Sequence, residues 1–113
     1  MFWEGSAKDD FKRFPTPVQK DLGVALFIVQ TGRTPASAKP WKGLGSGVYE
    51  LVEDQRGDTY RAVYTVRIAD RVYVLHAFQK KSKSGVATPR NEIALVERRL
   101  RAVLARHRNR GGE

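Results

Sequence analysis

Glu50, Arg61, His76, Lys80 and Lys81 all fall between Tyr49 and Ser82. The first three each interrupt a run of strand-forming residues: Tyr49-Glu50-Leu51, Tyr60-Arg61-Ala62-Val63-Tyr64 and Leu75-His76-Ala77-Phe78. The two lysines close the third run as Gln79-Lys80-Lys81-Ser82. These residue types suit acid–base chemistry on a phosphate ester. Such chemistry needs a base for a hydroxyl proton, cations for the charge that builds on phosphorus, and an acid for the departing oxygen. Arg61 suits the cationic role, because its planar fork grips two phosphate oxygens and stays charged. Lys80 and Lys81 can share that work, and Lys81 can serve as the acid where neighbouring cations depress its pKa. Glu50 and His76 are the alternatives for the base, and histidine ordinarily titrates nearest neutrality. No carboxylate–histidine cluster stands at metal-ligand spacing, so no metal and no other cofactor is expected.

Whether these groups meet depends on strand parity. Ala62, Tyr64 and Val66 share one face of the middle strand, and Arg61, Val63 and Thr65 the other. Along the last strand, Leu75 and Ala77 oppose Val74, His76, Phe78 and Lys80. A hairpin register that sets Glu50 against this second group brings Glu50, Arg61, His76 and Lys80 to one surface. The plain alternatives are a cross-strand ion pair for Glu50 and Arg61, a hydrogen-bonded core residue for His76, and a solvated loop for the lysines.

The elements that must hold these strands can be read along the chain. Met1 to Trp3 fits an edge strand. Ser6 followed by Asp9 resembles a helix cap over Ala7 to Phe14, closed by Pro15 and Pro17. Val18, Leu22, Ala25, Leu26 and Val29 mark the buried face of a second helix, ended by Gly32. A loop from Arg33 to Gly47 follows, then strands over Val48–Glu53, Thr59–Ile68 and Arg71–Phe78. Lys80 to Thr88 reads as a polar loop. Thr88 and Pro89 open a last helix, whose stripe is Ile93, Val96, Leu100, Val103 and Leu104. Residues 107–113 are expected to form a disordered tail after a single domain over 1–106. Strand, two helices, three-stranded meander and helix make an α+β fold on a small antiparallel sheet.

The 113 residues carry 21 Lys and Arg against 12 Asp and Glu, a net charge of +9. A field of that sign draws polyanions and binds phosphate backbones. No apolar run approaches the roughly 20 residues of a membrane span, so no membrane partner is expected. Early Glu4, Asp9 and Asp10 do not suit a signal peptide, and there is no cysteine, so a cytoplasmic setting is expected.

The order of elements resembles the RelE/HigB-like toxins of type II toxin–antitoxin pairs, in the branch described as phage-derived and endonuclease-like. Tyr60-Arg61-x-x-Tyr64 is similar to the family's middle-strand motif, whose arginine is catalytic. Phe78-Gln79-Lys80-Lys81 is similar to its last-strand segment, with Lys81 at the position of a catalytic basic residue. Some members carry lysines where this chain has Glu50 and Val52, and a tyrosine or histidine near Val86-Ala87-Thr88; the HigB-like branch is closer at both points. The resemblance implies a ribosome-dependent messenger-RNA endonuclease. Attack by the 2′-hydroxyl would leave a 2′,3′-cyclic phosphate and a 5′-hydroxyl, and the partner would be a helix-turn-helix antitoxin. Lys39, Trp41, Lys42, Tyr64 and Lys83 are then the candidate contacts to RNA or ribosome, cations for phosphates and rings for bases. The rival reading is a catalytically inactive basic module that acts with an antitoxin in DNA binding or regulation.

Overall fold

The computed structural model describes residues 1–80 and 88–111. Its elements run β1 (Phe2–Trp3), α1 (Ala7–Lys12), α2 (Thr16–Gln30), β2 (Ala38–Pro40), β3 (Val48–Gln55), β4 (Asp58–Ile68), β5 (Arg71–Lys80) and α3 (Arg90–Gly111). The strands form one sheet in the order β1-β5-β4-β3-β2. The fold is α+β as expected, but the sheet has five strands and is mixed, because β1 lies parallel to β5 with Phe2 opposite Tyr73. β2 is a further strand within the expected loop, paired antiparallel to β3 with Lys39 opposite Glu50.

Two tight connections hold the meander in register. Arg56 (φ 50°) and Gly57 (φ 86°) join β3 to β4, and Ala69 (φ 52°) and Asp70 (φ 54°) join β4 to β5. Positive φ at both central residues is what a two-residue type I′ hairpin turn requires, and its twist matches that of the strands. Between β4 and β5 the register passes from Val63 opposite His76 to Tyr64 opposite Val74, so Leu75 is an extra residue. This bulge corrects the simple alternation. Val74 and Ala77 pack on the α1/α2 side, whereas Leu75 and Phe78 pack on the α3 side.

Both faces of the sheet are covered. Val18, Leu22 and Leu26 of α2 meet Leu51, Ala62 and Tyr64 on one side. Val96, Leu100 and Val103 of α3 meet Val48, Val63 and Leu75 on the other. Several ends differ from the expected ones. The side chain of Ser6 caps no backbone N–H; its Oγ donates to Asp10 Oδ2 at 2.8 Å and accepts from Arg99 at 3.0 Å. α1 stops at Lys12, and Phe14 is buried beneath the following turn. The expected tail begins within α3. The helix continues to Gly111, with the His107 ring edge-on to Tyr73 and hydrogen-bonded to its hydroxyl. The residue before it, Arg106, grips both oxygens of Glu4, at 3.0 and 2.7 Å, tying α3 to the chain's first residues. No helix among the described residues is long and apolar enough to cross a membrane.

Candidate active site

The α3 side of the sheet carries the charged residues in successive rows. Lys39, Glu50, Val63 and His76 lie opposite one another across β2, β3, β4 and β5. The next row is Val52, Arg61 and Phe78, and beyond it Thr59 faces Lys80. Glu50 and Arg61 are therefore diagonal neighbours on adjacent strands, close enough for long side chains to meet. Arg61 Nη1 donates to Glu50 Oε1. The two side chains are only 15% and 12% exposed, so the pair is largely desolvated. Arg61 Nε is buried and has no partner among the described residues. Lys80 senses both: partial burial and then the Arg61 charge lower its pKa below the usual lysine range, and Glu50 offsets part of that.

His76 lies on the same face but belongs to a different group. Glu50 and His76 are separated by Val63, two strand spacings or about 10 Å. His76 is 5% exposed and its ring stacks on Phe78 with centroids 5.0 Å apart. Its Nε2 lies 3.2 Å from Glu92 Oε2, and its Nδ1 lies 3.4 Å from Arg99 Nη1. Arg99 can only donate, so Nδ1 is the acceptor and Nε2–H is left to donate to Glu92. That is the neutral tautomer. Burial lowers the His76 pKa and Arg99 adds to the effect, against Glu92 and Asp10, which raise it. Arg99 also donates to the Leu75 carbonyl at 2.9 Å, so the cluster fastens α3 to the bulge in β5.

Beside Glu50 opens a cavity of about 540 Å³, bounded by Lys39, Pro40, Trp41 and Lys42 on one side and by Thr88 and Ile93 on the other. Lys39 and Lys42 are exposed. Trp41 is only 6% exposed, with its backbone N–H bonded to the Val48 carbonyl at 2.9 Å and its indole Nε1 buried without a partner among the described residues. Tyr64 does not belong here. It is 2% exposed on the α1/α2 face, stacked on Tyr49 with centroids 5.6 Å apart, and burial and Tyr49 push its phenol up to about 12. Its even-numbered parity on β4 turns it away from Arg61. Lys81 and Lys83 lie outside the described residues. Among the described residues, no three His, Cys, Asp or Glu side chains stand close enough to hold a metal ion.

The model of the phage-derived protein Gp49-like family (DUF891) matches residues 9–101, which include every strand but β1 and all of the charged rows. The chain belongs to the Gp49-like family. That family is part of the RelE-like toxin–antitoxin group, and it is related to RelE-type toxins that are endoribonucleases. Membership suggests a toxin-like protein partnered by an antitoxin. No curated protein matches the chain.

In this Gp49-like protein, the sheet sets Glu50, Arg61 and Lys80 near one another, with Lys39 opposite Glu50 on the neighbouring strand, and leaves His76 with α3. The sequence pattern puts Arg99 with Arg98 and Arg101 on the exposed side of α3 and gives Glu92 no role, but the structure turns both toward His76. They flank the apolar stripe of Ile93, Val96 and Leu100 at a spacing of seven residues, two helical turns, which sets both along one edge of the buried face. Polar residues at such an edge are ordinary, so only the strand opposite them shows what they hold.

Proposed function

We propose that this Gp49-like protein is the toxin of a type II pair, a metal-independent endonuclease that cleaves messenger RNA on the ribosome. The observation that carries the reading is the Glu50–Arg61–Lys80 group, a carboxylate, a guanidinium and an ammonium of lowered pKa on one sheet face beside an open cavity. Glu50 takes the proton of the substrate's 2′-hydroxyl. The 2′-oxygen forms its bond to phosphorus, the bond from phosphorus to the 5′-oxygen breaks, and Lys80 gives that oxygen its proton. Arg61 turns from Glu50 toward the phosphate and stabilises the charge of the phosphorane. The products are a 2′,3′-cyclic phosphate and a 5′-hydroxyl. Lys81 is an alternative acid, and Lys39, Lys42 and Lys83 add cations along the RNA path. The partner is a helix-turn-helix antitoxin, and the setting is the cytoplasm.

A second reading draws on one feature of the same site. Arg61 is already committed to Glu50, and such a pair can be purely structural. The chain would then be an inactive basic module that acts with an antitoxin on DNA. Incubating the purified protein with messenger RNA, with and without translating ribosomes, separates the two. Cleavage that requires the ribosome and leaves 5′-hydroxyl ends supports the nuclease. Intact message under both conditions supports the inactive module.

A further inference from the structure

The cavity beside Glu50 has a composition that the catalytic group alone does not explain. Its walls are largely apolar, with Pro40 and Trp41 from β2 and its continuation and Ile93 from the first turn of α3. Ile93 remains 42% exposed although it belongs to the helix's apolar stripe. Among the described residues, two cations, Lys39 and Lys42, stand at the rim, and the remaining charged wall is Glu50, whose carboxylate holds Arg61. Apolar walls with a few polar groups at the edge are typical of small-molecule sites, and about 540 Å³ is within their usual range. A ligand that fits both parts has a flat, weakly polar body and an attached anion.

We infer that the cavity is a nucleotide subsite. It takes the base of a nucleotide flanking the scissile phosphate between Trp41 and Ile93, while Lys39 and Lys42 hold the adjoining phosphate. A nucleotide seated in this way directs its sugar–phosphate toward Glu50 and Arg61, because Glu50 is part of the cavity wall. Contact through ring faces tolerates every base, so the subsite positions the chain of RNA and discriminates little between sequences. The inference rests on the nuclease reading, and extends it to residues outside the acid–base group.

The test is a titration of the ¹⁵N-labelled full-length chain. It has two tryptophans, Trp3 and Trp41, hence two indole N–H signals, assigned by Trp3→Phe. Adenosine monophosphate should shift the Trp41 signal saturably, and ribose 5-phosphate should leave it in place. Ile93→Glu replaces an exposed side chain with one favoured at a helix start, so the fold is kept. It should weaken nucleotide binding on the order of tenfold or more through lost stacking and like charge. An unmoved Trp41 signal, an equal shift with ribose 5-phosphate, or a shift produced only by an acidic aromatic peptide would overturn the subsite. The readout needs no ribosome, so the two proposals fail separately. Nucleotide binding without cleavage of ribosomal message sinks the nuclease and keeps the subsite; cleavage with Trp41 unmoved does the reverse.

Discussion

Two charged clusters sit on one face of the same sheet, and their surroundings differ. His76, Glu92 and Arg99 join β5 to α3, and Arg99 bonds two further groups, the Leu75 carbonyl and the Ser6 hydroxyl. Glu50, Arg61 and Lys80 all lie on strands, and Glu50 borders a cavity. The first cluster meets its hydrogen-bonding needs across elements that must stay together. The second leaves Arg61 Nε buried without a partner among the described residues and sets a lysine of lowered pKa beside an arginine. Burying charge between strands already joined by their backbone ladder is hard to explain by stability, since removing two ions from water costs several kcal/mol. His76 and Glu92 border a cavity too, of about 530 Å³, so the two clusters differ in their bonds and not in access to space; we propose the first as structural and the second as functional.

That contrast is open to direct attack. The largest effect should come from replacing both members of the strand pair with apolar groups of similar size, Glu50→Leu with Arg61→Met. Growth arrest by the expressed toxin should disappear, because lost transition-state stabilisation of a few kcal/mol lowers the rate about a hundredfold or more. Denaturant unfolding should show a protein as stable as the parent, or more stable by about 1–4 kcal/mol. A double variant that unfolds would make the pair structural after all.

Arg99→Ala should behave in the opposite way. It strands the Leu75 carbonyl and the His76 ring, so the unfolding free energy should fall by about 2 kcal/mol. Cleavage per folded molecule should stay near that of the parent. A large loss of specific activity at unchanged stability would move the functional boundary to α3.

A smaller effect concerns pH. The folded pKa of His76 is below its ordinary value of 6.5, so the unfolded chain takes up the proton first as pH falls. The stability gained from holding the ring neutral is fully present above about pH 6.5 and is lost as pH falls toward the folded value. Urea midpoints from pH 8 to 5 should decline on the acid side, and His76→Gln should flatten that decline. An unchanged slope would mean that the ring is not the titrating group.

The Glu50–Arg61 pair could be read from the chain because strand alternation is local. Glu50 and Arg61 each stand in a short strand pattern, and tight hairpin turns leave little freedom in register. His76 was left between base and hydrogen-bonded core residue for a physical reason. Its side of the sheet depends on a bulge at Leu75, and its role depends on Glu92 and Arg99 on a distant helix. Tyr64 shows a related limit, since a tyrosine suits both a core and a base-stacking surface and only the face decides. β1 reads as an edge strand, but two residues carry no sign of parallel pairing, and β2, three residues long, leaves no pattern in its loop. The helix was followed too briefly because its last turns are rich in arginine, and the Tyr73 contact that holds His107 comes from another element.

The most direct measurement compares Arg61→Lys with His76→Gln in single-turnover cleavage of ribosome-bound messenger RNA, with both proteins first shown to be folded. Arg61→Lys keeps a cation beside Glu50 and removes only the planar fork. The account predicts a rate lower by about tenfold or more for Arg61→Lys, and a rate within about threefold of the parent for His76→Gln. A protein that cleaves normally with lysine at 61 and fails with glutamine at 76 would contradict it.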